Sequence, residues 1–105
     1  MVILETPVFT AQITDLITDD SYASLQHELR VNPDAGDVIP QGGGLRKIRW
    51  RSEGGGKRGG IRVIYYWYVP GDLIYMLLAY AKNKQSDLTP KQLKILRALV
   101  EEEFK

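Results

Sequence analysis

The chain has no cysteine and one histidine among 105 residues. Without thiols there is no disulfide framework, no thiolate nucleophile and no sulfur metal site, and a lone imidazole leaves little for zinc. No Ser-His-Asp set, paired-carboxylate centre or metal-ligand cluster is visible either, so no metal and no cofactor are expected. No apolar run is long enough to span a bilayer, and the start, MVILETP, lacks the basic end and apolar core of a signal peptide. A cytoplasmic protein with no membrane partner is expected, and the missing cysteine fits that reducing compartment. Internal repeats are absent. The length suits one domain over residues 1–105 and not two. A domain this small buries only about two-thirds of its unfolded surface, so its architecture should be simple.

Basic residues are also scarce, but only locally. Residues 1–41 hold one (Arg30) against seven acidic ones, a balance of −6. Residues 42–84 hold nine basic residues against two acidic ones, a balance of +7, and residues 85–105 cancel. The net charge of +1 therefore hides a basic central segment. A polyanion is steered by local field rather than by net charge, so this asymmetry points to a polyanionic partner.

Val2-Ile3-Leu4 reads as a short strand. Thr6 as N-cap and Pro7 at the first turn open a helix whose Phe9, Ile13, Leu16 and Ile17 recur at helical spacing. Thr18 caps a second helix, with Asp19 and Asp20 at its positive end and Tyr22, Leu25 and Leu29 on one stripe; Asn32-Pro33 stops it. Residues 33–44 read as a loop. Leu45–Trp50, Ile61–Val69 and Leu73–Ala81 read as three strands of an antiparallel meander, joined by a glycine-rich connection and by Pro70-Gly71-Asp72. The third is apolar on both faces, so both faces should be covered. Thr89-Pro90-Lys91-Gln92 opens a last helix that turns Leu93, Leu96, Val100 and Phe104 inward. The order β-α-α-β-β-β-α implies an α+β domain, an antiparallel sheet with helices packed on it.

Strand parity places the charges. Lys47 and Arg49 share a face of their strand; Arg62, Ile64 and Tyr66 share a face of the next; Ile74, Met76, Leu78 and Tyr80 share a face of the third, with Lys82 following in phase. One patch of Lys47, Arg49, Arg62, Tyr66, Tyr80 and Lys82, fringed by Lys57 and Arg58, is thus geometrically possible. Basic residues interleaved with aromatics on a sheet suit single-stranded nucleic acid, with cations on phosphates and tyrosines on bases. The competing reading is packing and an edge that discourages strand pairing. Packing is expected for Trp50, Tyr65 and Trp67. Arg62, alone in an apolar strand, is read as functional because a buried Arg without purpose is rare.

Gly54–Gly60 resembles a phosphate loop only superficially, since it has no G-x-x-x-x-G-K-[ST] and joins strands rather than opening a helix. His27 lies in the acidic helical segment and is expected to be exposed. Catalysis would have to come from Lys, Arg or Tyr, which suffices for RNA cleavage. There the 2′-hydroxyl is the nucleophile, and the protein must align it, stabilise the phosphorane charge and protonate the leaving 5′ oxygen. A lysine crowded by cations can serve in proton transfer.

The runs Gly43-Gly44-Leu45-Arg46-Lys47-Ile48-Arg49, Gly56-Lys57-Arg58-Gly59-Gly60-Ile61-Arg62-Val63-Ile64-Tyr65-Tyr66, Tyr80-Ala81-Lys82-Asn83 and Ser86-Asp87-Leu88-Thr89 together resemble the RelE/HigB family of bacterial toxin–antitoxin toxins. Leu29-x-x-Asn32-Pro33-x-x-Gly36-Asp37-Val38-Ile39 resembles the HigB-like branch. The resemblance covers nearly the whole chain. It implies a RelE-like fold and metal-independent, ribosome-dependent cleavage of mRNA in the A site. It also implies neutralisation by a HigA-like antitoxin with a helix-turn-helix domain. It assigns the chemistry to Arg62, on phosphate charge, and Lys82, on charge or proton transfer. Lys47, Arg49, Lys57, Arg58 and Lys84 would bind mRNA or ribosomal RNA, and Tyr66 and Tyr80 would stack on a base or pack. Some relatives carry a functional tyrosine in a C-terminal tail; Glu101-Glu102-Glu103-Phe104-Lys105 offers none. Two other readings stay open: a ParE-like gyrase inhibitor and a non-catalytic RNA-binding domain.

Overall fold

A computed structural model describes residues 1–51 and 60–105. The elements are β1 (Val2–Glu5), α1 (Pro7–Leu16), α2 (Asp19–Val31), β2 (Asp37–Val38), β3 (Leu45–Trp50), β4 (Ile61–Tyr68), a single 3₁₀ turn (Val69–Gly71), β5 (Leu73–Ala81) and α3 (Pro90–Phe104). The α+β class and the element order are those expected from the sequence, with the two-residue β2 added inside the segment read as loop. The described strands form one sheet in the order β1-β5-β4-β3-β2. The β2–β3–β4–β5 pairs are antiparallel, but β1 runs parallel to β5, so the sheet is mixed rather than wholly antiparallel.

The helix ends follow local hydrogen-bond chemistry. Thr6, Thr18 and Thr89 each accept a backbone N–H of the first turn through the side-chain oxygen, at 3.0, 3.1 and 3.1 Å. Gln92 completes the reciprocal box by accepting the Thr89 N–H. Thr6 does a second task. Where β1 stops, its N–H and hydroxyl donate to the Met76 and Leu77 carbonyls of β5, and Gln12 Oε1 accepts the Ala79 N–H. Helix α1 thereby satisfies an edge that would otherwise present bare backbone groups.

Two cores sit on the two faces of the sheet. Phe9 and Ile13 of α1 and Leu25 and Leu29 of α2 pack on Ile48, Ile61, Val63, Tyr65, Ile74, Met76 and Ala79. Leu96 and Val100 of α3, flanked by Leu93 and Phe104, pack on Leu45, Ile64, Leu77 and Tyr80. Strand β5 does not keep Ile74, Met76, Leu78 and Tyr80 on one face, as simple alternation predicts. Tyr65 pairs with Met76 but Ile64 with Leu78, so β5 carries an extra residue, Leu77, at a bulge. One extra residue reverses every side chain beyond it. Ile74 and Met76 therefore enter the α1–α2 core, while Leu77, Leu78 and Tyr80 face α3.

The tyrosine and tryptophans read as packing are packed. Tyr65 is fully buried; its hydroxyl donates to the Pro33 carbonyl and accepts the Gly36 N–H, each at 2.8 Å, which fastens the 33–44 loop to the sheet. Burial raises the Tyr65 pKa. A Cβ on Gly36 would lie 2.8 Å from that ring, so glycine is needed at this approach. Trp50 Nε1 donates to Ser21 Oγ at 3.0 Å, and Trp67 lies against the α1–α2 core.

Candidate nucleic-acid interface and active site

Helix α3 covers the lower part of its face of the sheet, where Leu45, Ile64 and Leu77 lie, and Phe104 closes over Tyr66, Tyr68 and Tyr75. At the other end of the same face the strands bring charged side chains into rows. Arg49, Arg62 and Tyr80 are directly paired across β3, β4 and β5. Lys47 stands one row below Arg49, opposite Ile64. Beyond the row, the Lys82 N–H donates to the Gly60 carbonyl at 3.1 Å, so Lys82 leaves the end of β5 beside the start of β4. Gly60 has φ +70°, and a Cβ there would lie 2.5 Å from the Trp50 carbonyl oxygen. Only glycine lets the two strands meet this closely and still present Lys82.

Arg62 is 6 % exposed, and its Nη1 donates to the Ile61 carbonyl at 3.2 Å. Desolvation, then the cations Arg49 and Arg51, lower its pKa; Tyr80 and Asp87 act in the opposite sense. Arginine stays protonated under such a shift. Tyr80 is 7 % exposed. Its hydroxyl is buried without a hydrogen-bond partner among the described residues. Burial, then Asp87, raises its pKa, against Arg62.

The segment after β5 folds back over this end. Lys82 Nζ donates to the Ser86 carbonyl, and Lys84 is exposed on the same turn. Asp87 Oδ1 accepts Leu88 N–H at 2.8 Å and Lys47 Nζ at 3.1 Å. These two bonds, in that order, lower the Asp87 pKa, with Lys82 adding to the effect.

Of the residues singled out by sequence, the structure brings Lys47, Arg49, Arg62, Tyr80 and Lys82 to one end of the sheet, with Lys84 adjoining. Tyr66 is on the same face but at the opposite end, its ring 5.3 Å from Phe104 and beneath Lys105 Nζ. Lys57 and Arg58 lie outside the described residues. His27 is exposed on α2, as expected. Asp87 was given no role by the sequence reading, although it belongs to the Ser86–Thr89 motif; its meeting with Lys47, 40 residues away in sequence, is a tertiary event. Arg51, exposed at the end of β3, is a further cation near Arg62 that the sequence reading left out. Among the described residues no group of three or more His, Asp or Glu side chains is placed to hold a metal ion, and no helix is long and apolar enough to cross a membrane.

Such a site is equipped for one task above others. Two guanidinium groups and two ammonium groups can bind the non-bridging oxygens of a phosphodiester. Residues 17–105 match the family described as RelE toxin of RelE / RelB toxin-antitoxin system.

Proposed function

The chain belongs to the RelE toxin family of toxin–antitoxin systems, and from that premise we propose that it is a HigB-like mRNA interferase. It arrests translation by cutting mRNA in the ribosomal A site, in the cytoplasm, without a metal ion. Its partner off the ribosome is a HigA-like antitoxin with a helix-turn-helix domain. The observation that carries the reading is the row Arg49–Arg62–Tyr80 with Lys47 and Lys82 beside it, at one end of the sheet.

In this mechanism the RNA's own 2′-hydroxyl, held in line with the phosphate by the ribosome and the protein, attacks phosphorus as its proton passes to solvent; the O2′–P bond forms and the P–O5′ bond breaks. Arg62 binds the phosphate oxygens and stabilises the charge that grows in the phosphorane. Lys82, whose Nζ donates to the Ser86 carbonyl, stabilises the same charge or gives a proton to the leaving 5′ oxygen. Tyr80 backs the Arg62 guanidinium from β5. Lys47, Arg49 and Lys84, together with Lys57 and Arg58, track the RNA backbone.

The test is expression of the wild type, Arg62→Ala and Lys82→Ala, followed by mapping of mRNA 5′ ends with and without ribosomes. Cuts confined to translated message, lost in both variants while each still melts cooperatively, are expected. A DNA-damage response without mRNA cuts would move the protein to gyrase inhibition. RNA binding with neither cuts nor growth arrest would make it a non-catalytic binder.

A further inference from the structure

The loop between β5 and α3 carries an anion into the middle of the cations just described. Asp87 Oδ1 bonds Lys47 Nζ at 3.1 Å, and the carboxylate also acts electrostatically on Arg62, Tyr80 and Lys82. A carboxylate and a phosphate offer lysine the same kind of oxygen. The pair is accessible: the Lys47 side chain is 31 % exposed and that of Asp87 67 %. An exposed pair of this kind is weak enough for a polyanion to exchange.

The loop does not need the pair to keep its shape. Lys82 Nζ holds the Ser86 carbonyl, Gln85 Nε2 donates to the Asp87 carbonyl at 2.9 Å and to Gln92 Oε1 at 2.6 Å, and the Thr89–Gln92 box fixes the start of α3. Asp87 itself secures the turn through the Leu88 N–H. Its second bond, to Lys47, reaches out of the loop to a strand on the far side of Arg62.

We propose that Asp87 is an internal stand-in for the RNA phosphate: its carboxylate occupies Lys47 in the free protein, and RNA must displace it to bind. The inference rests on the reading of this end of the sheet as the RNA site. It makes the free toxin weaker at holding RNA than its cations alone would be, and it sets a threshold that the correctly held message overcomes.

The test is binding of a single-stranded RNA, 2′-O-methylated to prevent cleavage, across a salt titration. Asp87→Asn removes the charge but keeps an oxygen for the Leu88 N–H. It is expected to bind roughly threefold to tenfold tighter at low salt. The gain should shrink as salt rises, because salt screens the Lys47–Asp87 pair that RNA has to break in the wild type. A merely structural role would give a difference that does not depend on salt. Lys47→Ala in the Asp87→Asn background should erase the gain and its salt dependence. Unchanged or weaker binding by Asp87→Asn, or gains that survive loss of Lys47, would overturn the proposal. Arg62→Ala and Lys82→Ala separate it from its premise. If they weaken binding and Asp87→Asn does not tighten it, only the stand-in fails. If they leave binding unchanged, or if neither wild type nor Asp87→Asn binds, the RNA site fails and the stand-in with it.

Discussion

Arg49 and Arg62 face each other directly across the β3–β4 ladder, on the same side of the sheet. Like charges in that position destabilise a strand pair, and here desolvation of Arg62 adds to the cost. The pairing concentrates positive charge at the place where the proposed RNA phosphate binds.

Removing the repulsion should therefore stabilise the fold. Arg49→Thr puts an uncharged, β-branched side chain at the position and is expected to raise stability by about 0.2–1 kcal/mol, seen as an increase of a few degrees in thermal midpoint. Added salt should raise the midpoint of the wild type more than that of the variant, because only the wild type has the repulsion to screen. RNA cleavage should fall at the same time. A lower midpoint for the variant would show that the two guanidiniums are net favourable as they stand.

Tyr80 separates ring from hydroxyl. The hydroxyl is buried with no partner among the described residues, so Tyr80→Phe should leave stability unchanged or raise it by up to about 1 kcal/mol. The ring packs with Ile64, Leu77 and Leu96, so Tyr80→Ala should cost about 3–5 kcal/mol. Chemical denaturation of the two variants checks both. Equal destabilisation by Phe and Ala would mean that the hydroxyl, not the ring, holds this corner.

Gly60 sits where the end of β3, the start of β4 and the end of β5 meet. Gly60→Ala places a methyl against the Trp50 carbonyl oxygen at a positive φ. The expected loss is about 2 kcal/mol or more, with a fall of roughly ten degrees in thermal midpoint for a domain of this size. Because the Gly60 carbonyl also accepts the Lys82 N–H, cleavage should drop even at temperatures where the variant is folded. A calorimetric scan paired with a cleavage assay at low temperature reads both effects.

Asp87 carries a pH signature. Its folded pKa lies below the ordinary 3.8, through its bonds to Leu88 and Lys47. Stability from a depressed carboxyl is present in full above the unfolded value and is lost as pH falls through the folded one. The stability difference between wild type and Asp87→Asn should therefore be flat from about pH 7 to about pH 5 and close below about pH 4. Its size should stay within about 1 kcal/mol, since the pair is solvent-exposed and screened. Urea titrations of both proteins over that range measure it; a gap that persists at the acid end would place the effect in the loop's shape and not in the charge.

Features that depend on neighbours along the chain can be read from the residues alone. Thr6, Thr18 and Thr89 cap helices because an oxygen next to a free N–H is a local event. The three long strands, the two faces of β5 to be covered and the basic middle of the chain were legible from pattern and charge alone. Tertiary structure decided what depends on register and return. The bulge at Leu77 arises from pairing with Ile64 and Tyr65, and it sends Ile74 and Met76 to one core and Tyr80 to the other. Tyr66 and Arg62 share a face by parity, yet they stand at opposite ends of β4, so Tyr66 meets Phe104 while Arg62 pairs with Arg49 and lies beside Tyr80. No spacing in the chain links Asp87 to Lys47. Their contact exists because the β5–α3 loop folds back over the sheet, a placement fixed by packing of α3 and not by any residue's own preference.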